Sequence, residues 1–211
     1  MVHYKLHYFD SRGWAEPIRL ILQYAGQKYY EERYSIPDWE TYWPEKKKAF
    51  PYEKVPVLEV DGKQLAECYA IARFLALQYD LAGRDAWERA KVDEIADFHK
   101  DVAREIAPYF QTKRGYREGD AAKLRESVFL PALEKYFPFF LKRLQESGSG
   151  YFVKSGITWV DFLVADYLTN VVIHGDGVLE SQFPNLEEYR QRILRNPKIK
   201  DYISSRKQSD I

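Results

Sequence analysis

The sequence predicts two domains, an α/β unit over residues 1–80 and an all-helical unit over residues 81–211. Up to Tyr79, short β-like runs alternate with helical ones, the pattern of an α/β unit rather than of a bundle. Beyond Leu81-Ala82-Gly83, which reads as a linker, β signals nearly vanish and apolar residues recur at helical spacing. With 211 residues the chain is long enough for one large domain or two small ones, each burying a core.

Tyr4 to Phe9 is the first predicted strand, broken by Ser11-Arg12-Gly13. Ile18, Ile21, Leu22 and Ala25 then keep helical spacing up to Gly26, a helix stop. Tyr29 to Tyr34 reads as the second strand and Val57 to Val60 as the third, with Asp61-Gly62 the tight turn into a fourth at Lys63 to Ala66. A helix from Cys68 to Tyr79 closes the unit. In the second unit Ile95, Phe98, Val102 and Ile106 share one face of a long helix. The stretch Leu124 to Leu144 forms another, which Pro131 and Pro138 are expected to kink or interrupt. After the turn Ser147-Gly148-Ser149-Gly150, a capping box at Thr158-Trp159-Val160-Asp161 starts the apolar run Phe162 to Val172, expected to be the most buried helix.

Several function classes drop out on composition. Thirty-two Lys plus Arg offset 32 Asp plus Glu, so no basic field draws in nucleic acid, and no run of apolar residues is long enough to span a membrane. One cysteine rules out an internal disulfide framework, a CxxC pair and a thiolate zinc cluster. A reducing compartment fits that count, and the start lacks a secretory apolar core, so a cytoplasmic protein is expected. No phosphate loop, GxSxG, HExxH or GxGxxG occurs. The four histidines include no helical ligand pair, since His7 lies in the first predicted strand and His3 just before it, and no metal is expected. The acidic series Asp93, Asp97, Asp101 recurs every four residues and reads as a solvated or dimer-facing stripe in preference to a cation site. Aromatic residues make up 16% of the chain, which suits a binding surface as well as a core; Tyr109, Phe110 and Tyr116 are candidates for either.

What remains is a constellation in the first unit. Tyr8 ends a strand just before a glycine-containing turn and a helix, where open α/β folds present side chains to ligands. Val55-Pro56 precedes the third strand, and an X-Pro bond there can be cis and aim a backbone N–H and C=O at a peptide-like ligand. Glu67-Cys68 opens the next helix, whose free N–H groups and positive dipole end favour a carboxylate. Together they describe a site for a small anionic peptide. The residues alone leave a second reading open, with Tyr8 a core aromatic, Pro56 a strand-edge residue and Cys68 a buried small hydrophobe.

The string Tyr4-Lys5-Leu6-His7-Tyr8-Phe9-Asp10-Ser11-Arg12-Gly13, followed by Ala15-Glu16-Pro17-Ile18-Arg19, resembles the opening of the cytosolic glutathione transferases of sigma type, in particular nematode members. Val55-Pro56-Val57-Leu58-Glu59-Val60-Asp61-Gly62 with Ala70-Ile71-Ala72-Arg73-Phe74-Leu75 resembles that family's cis-proline strand, hairpin and third helix, and Thr158-Trp159-Val160-Asp161 its helical-domain capping box. The resemblance covers essentially the whole chain. It implies a thioredoxin-like glutathione-binding domain over 1–80, an all-helical domain over 81–211 that completes the hydrophobic-substrate pocket, and a homodimer. Tyr8 falls on the catalytic tyrosine. Trp39 and one of Lys46, Lys47 and Lys48, most closely Lys47, fall on residues that hold the glycine end of glutathione. Val55 and Pro56 fall on the cis-proline pair whose backbone meets the cysteinyl residue. Glu67 and Cys68 occupy the γ-glutamyl positions, and Asp101 corresponds to an acid that reaches the partner subunit's ligand. Sigma members usually carry Gln-Ser in place of Glu67-Cys68, and a thiol is a weaker donor than a hydroxyl.

The chemistry needs modest help. Lowering a thiol pKa from about 8.5 to roughly 6.5 takes about 2.7 kcal/mol of preference for the thiolate. One hydrogen bond to a charged acceptor supplies about 1.5–3 kcal/mol, so the Tyr8 hydroxyl is nearly sufficient by itself. The expected activity is conjugation of glutathione, as co-substrate, to small hydrophobic electrophiles. Its rivals are a glutathione-dependent isomerase with a prostaglandin-like product, and a non-catalytic relative that carries haem or other planar ligands or serves as a structural protein.

Overall fold

Side-chain alternation in β1 (Tyr4–Phe9) buries Tyr4, Leu6 and Tyr8 on one face and turns Lys5, His7 and Phe9 to the other. In the computed structural model, which describes residues 2–36 and 39–207 except the Trp39 side chain, this strand lies inside a four-stranded sheet. The order is β2 (Tyr30–Tyr34), β1, β3 (Val57–Val60), β4 (Lys63–Ala66). β2 runs parallel to β1, whereas β3 is antiparallel to β1 and β4 to β3. A parallel pair needs a crossover, and α1 (Glu16–Tyr24) provides it, with Pro17 in a first turn that has no N–H partner to lose. The β3–β4 turn is a two-residue hairpin in which Asp61 and Gly62 both take positive φ, at 47° and 83°.

The two faces of the sheet are covered differently. Ile18, Ile21 and Leu22 of α1 and Ile71, Ala72 and Leu75 of α3 (Cys68–Gln78) are fully or almost fully buried, and the two helices pack together. Tyr79, one residue past α3, brings its hydroxyl 3.2 Å from that of Tyr4 and so joins this layer to the Tyr4–Leu6–Tyr8 face. On the opposite face Tyr34, Trp43, Phe50 and Val57 form an aromatic cluster with Phe9 against it. Trp43 and Phe50 come from α2 (Trp39–Lys46) and the turns after it, so the cluster anchors the segment between β2 and β3. His7 sits beside it, its Nδ1 2.9 Å from the Tyr34 hydroxyl, and burial holds its pKa below the usual histidine value.

By contacts the chain divides into two compact units, Met1–Leu81 with Leu194–Ile211, and Ala82–Ile193. By contacts the tail, with α10 (Lys200–Ser205), groups with the sheet unit.

The second unit is helical: α4 (Ala86–Lys113), α5 (Ala121–Leu124), a π-helical turn at Arg125–Phe129, α6 (Leu130–Ser147), α7 (Trp159–His174), α8 (Val178–Gln182) and α9 (Pro184–Leu194). The Leu124–Leu144 stretch is interrupted, as expected, by the π turn directly ahead of Pro131, which falls in the first turn of α6, while Pro138 lies inside that helix. α7 is buried on nearly all sides and starts at the capping box. Asp161 Oδ2 accepts from the Thr158 N–H (2.7 Å) and hydroxyl (3.0 Å), and Oδ1 from the Tyr189 hydroxyl (2.9 Å) and Phe152 N–H (3.2 Å). Full burial outweighs these donors and pushes the Asp161 pKa up to about 6. Tyr109 and Phe110 are core residues, the former donating to the His174 carbonyl at 2.5 Å, and Tyr116 is exposed. Among the described residues no helix is long and apolar enough to cross a membrane.

Candidate functional site

Strand register brings the sequence-predicted residues of the first unit to one edge of the sheet. His7 pairs with Val57, and Val57 with Ala66. One step beyond that row stand Tyr8 at the end of β1, Pro56 ahead of β3, and Glu67 after β4. β2 ends in the same direction, at Tyr34 opposite Phe9, so the segment bearing Trp39 and Lys47 also departs from this edge. A cavity of about 510 Å³ lies elsewhere, at the start of β1 among Tyr4, Gln27 and Tyr29, so volume alone does not mark the site.

Tyr8 is 7% exposed, and its hydroxyl accepts the Trp14 backbone N–H at 3.0 Å. An accepted hydrogen bond polarises the O–H and strengthens what that O–H donates in turn. The approach is possible because residue 13 is glycine. Its φ is +42°, and a Cβ there would lie 2.4 Å from the Tyr8 oxygen. The sequence identified Gly13 only as a turn residue; its fit against the phenol depends on a contact no local pattern reveals.

Behind the loop lies a buried ion cluster that sequence reasoning missed. Arg19 is fully buried; its Nε bonds Glu31 at 2.6 Å and its Nη1 bonds Glu16 at 3.1 Å. Burial opposes the Arg19 charge, but Glu16 and Glu31 outweigh it and hold its pKa above the ordinary value. The guanidinium carbon lies 5.9 Å from the Tyr8 ring centroid, within cation–π range. Glu16 and Arg19, three apart at the start of a helix, were a legible i,i+3 pair.

The Val55-Pro56 peptide bond is cis, with Val55 half-buried and Pro56 buried. Glu67 is exposed, caps α3, and has φ 71° and ψ 115°, a conformation that non-glycine residues adopt where function or packing imposes it. Cys68, half-buried, is the first residue of α3, so its backbone N–H belongs to the first turn, which has no acceptor within the helix. Three lysines were candidates for the glycine end. Lys46 is bound to Glu32 (2.9 Å) and lies over the Tyr34 ring, and Lys48 is bound to Glu45 (2.7 Å). Lys47 pairs with the exposed Glu53 at 2.8 Å, a contact of little energetic weight that a ligand carboxylate can displace. Trp39 begins α2, and its side chain lies outside the described residues. Asp101 belongs to the second unit, exposed on α4 with Arg104 3.7 Å away. Two members of the acidic series are paired with bases on their own helix, Asp97 with Lys100 at 2.9 Å and Asp101 with Arg104, and among the described residues no group of three His, Cys, Asp or Glu is placed to hold a metal ion.

A thioredoxin-like sheet presenting a tyrosine at the end of its first strand, a cis-proline and a helix N-terminus, followed by a helical domain, is the architecture of a transferase that uses glutathione as co-substrate. The glutathione S-transferase N-terminal domain matches residues 4–77 and the C-terminal domain residues 100–206. The chain is 42% identical over 206 residues to probable glutathione S-transferase 7 of Caenorhabditis elegans, covering 98% of each. It is similar to the Nu-class enzyme of Haemonchus contortus, at 40% identity, a TM-score of 0.89 and full coverage of both chains. The monomeric Na-GST-3 of Necator americanus is 41% identical with a TM-score of 0.92, over 99% of this chain and 100% of that one. The chain belongs to the glutathione S-transferase family and, as a member, conjugates glutathione. These neighbours are nematode proteins and one is of Nu class, so the family is shared while the sigma type is a finer assignment.

Proposed function

We infer that the chain joins glutathione to small hydrophobic electrophiles by sigma-type chemistry, with the Tyr8 hydroxyl donating to the glutathione sulfur and holding it as the thiolate. The observation that carries this is the Trp14 N–H on the Tyr8 oxygen, because it fixes the phenol at the sheet edge and polarises its O–H. A neutral donor of this kind preferentially stabilises the charged form of the sulfur, as a nucleophile requires.

The other groups along that edge suit the tripeptide. The backbone of Val55, ahead of cis-Pro56, serves the cysteinyl residue as a strand-like partner. Glu67 meets the γ-glutamyl ammonium, while Cys68 and the first turn of α3 receive its carboxylate. Lys47 and Trp39 take the glycine end. In a homodimer, Asp101 reaches the partner subunit's ligand. The setting is cytoplasmic detoxification, in keeping with the single cysteine. Calorimetric titration of glutathione together with turnover of an aryl halide tests the reading. Binding with turnover supports it, and binding without turnover assigns the protein to the carriers of haem or other planar hydrophobes.

A further inference from the structure

Glu16, the first residue of α1, is fully buried, and its carboxylate is met from both ends of the chain. Arg19, one turn on, bonds it at 3.1 Å. The Tyr202 hydroxyl of α10 donates to it at 3.0 Å and Arg206 Nη1 at 2.5 Å, across sequence separations of 186 and 190. Lys207 adds a pair to Asp10. All of these residues lie in the sheet unit.

The cluster continues toward Tyr8. Arg19 Nη1 also donates to the carbonyls of Ser11 (2.7 Å) and Arg12 (3.0 Å), the two residues before Gly13-Trp14. The Trp14 N–H then meets the Tyr8 oxygen, and the Arg19 guanidinium lies against the Tyr8 ring. Hydrogen bonds, most of them charge-assisted, thus link the tail through Glu16 and Arg19 to the 11–14 backbone, whose Trp14 N–H reaches the phenol. The space enclosed by Asp10, Arg12, Glu16, Arg33 and Tyr202 is about 10 Å³, room for one water, so the cluster works as a clamp and not as a ligand pocket. Burial and the Glu16 charge push the Tyr202 pKa far above its ordinary value, which keeps its hydroxyl a donor at any working pH. Without the tail's two donors, the buried Glu16 charge would rest on Arg19 alone and compete with the Ser11 and Arg12 carbonyls for the same Nη1.

We propose that Tyr202 and Arg206 are positioning residues for the thiolate-stabilising tyrosine: by neutralising Glu16 they keep Arg19 on the 11–14 loop and thereby hold the Trp14 N–H on the Tyr8 oxygen. This rests on the role assigned to Tyr8 above. The test compares full-length Arg206→Met, Arg206→Lys, Tyr202→Phe and Tyr8→Phe with the parent. It follows the ultraviolet thiolate band of bound glutathione against pH, kcat and KM, and the melting temperature. Arg206→Met should lower kcat/KM at pH 5.5, below the titration of the bound thiol, by about 5-fold, within the range for mutations along a coupled network. The thiolate titration should move up by roughly 0.7 unit, the equivalent of that factor. KM for glutathione should hold, and Arg206→Lys should recover most of the loss. Tyr202→Phe removes a single hydroxyl and should shift the titration in the same direction, which keeps the test valid if Arg206→Met fails to fold. A parent titration moved up by Tyr8→Phe but unmoved by Tyr202→Phe and by any folded Arg206→Met would overturn the inference alone. A parent with no thiolate band, or one whose titration Tyr8→Phe leaves unmoved, would overturn the Tyr8 assignment and the inference with it.

Discussion

Replacing Tyr8 by Phe removes one oxygen and leaves the packing in place, since the ring is 93% covered and a phenyl group fills the same space. Two bonds are lost. The Trp14 N–H loses its acceptor, which costs about 1 kcal/mol of stability for a part-buried donor. The glutathione sulfur loses a donor worth about 1.5–3 kcal/mol to a thiolate. Taking about 2.7 kcal/mol, the bound thiol returns from a pKa of roughly 6.5 to about 8.5. At pH 6.5 the thiolate fraction then falls from half to about one per cent, and kcat/KM drops roughly 50-fold. Above pH 9 both proteins hold the thiolate, so the defect should shrink to a few-fold. Glutathione affinity at low pH should barely change, because the tripeptide's other contacts remain. The assay is the pH profile of kcat/KM for an aryl halide, parent against Tyr8→Phe, with calorimetry for binding. A variant with parental turnover at pH 6.5, or a defect equally large at every pH, would show that the hydroxyl does not set the thiol's ionisation.

Three further outcomes follow from the same geometry. Gly13→Ala places a Cβ 2.4 Å from the Tyr8 oxygen at a φ of +42°, and should lower stability by about 1–3 kcal/mol along with kcat; a parental melting temperature and kcat would contradict the close fit. Lys47→Met should raise KM for glutathione several-fold and leave kcat nearly unchanged, because it removes ground-state binding alone; a fall in kcat at constant KM would point elsewhere. Asp161 has a folded pKa of about 6, above the ordinary aspartate value near 4, so the native state binds the proton more tightly than the unfolded chain. Its contribution to stability is therefore full below about pH 4 and lost as pH rises through 6, a change of about 3 kcal/mol. Urea melts of parent and Asp161→Asn between pH 4 and 7 should differ by that slope, and parallel curves would rule it out.

The strands at Tyr4–Phe9, Val57–Val60 and Lys63–Ala66, the Asp61-Gly62 hairpin and the Thr158–Asp161 box were legible residue by residue because each is signalled locally, by alternation, by φ-permissive turn residues or by a cap three positions from its partner. The first-unit site residues were legible for a related reason. Tyr8, Val55-Pro56 and Glu67-Cys68 each stand at a strand end or a helix start, so a correct order of elements already implies a shared edge. α2 was not foreseen: Trp39 to Lys46 mixes aromatic, charged and proline residues with no clear apolar stripe, and the segment is held by Trp43 and the following Phe50 in a cluster assembled from four parts of the chain. Nor could composition tell a buried charge from a solvated one. Glu16 and Arg19 are legible as an i,i+3 pair, but nothing local says that they are buried or that Glu16 is met by Tyr202 and Arg206 from a tail nearly two hundred positions away. Local patterns can specify elements and their order, but a long-range buried ion pair exists only where two distant segments exclude water together, and only folding brings Tyr202 and Arg206 to Glu16.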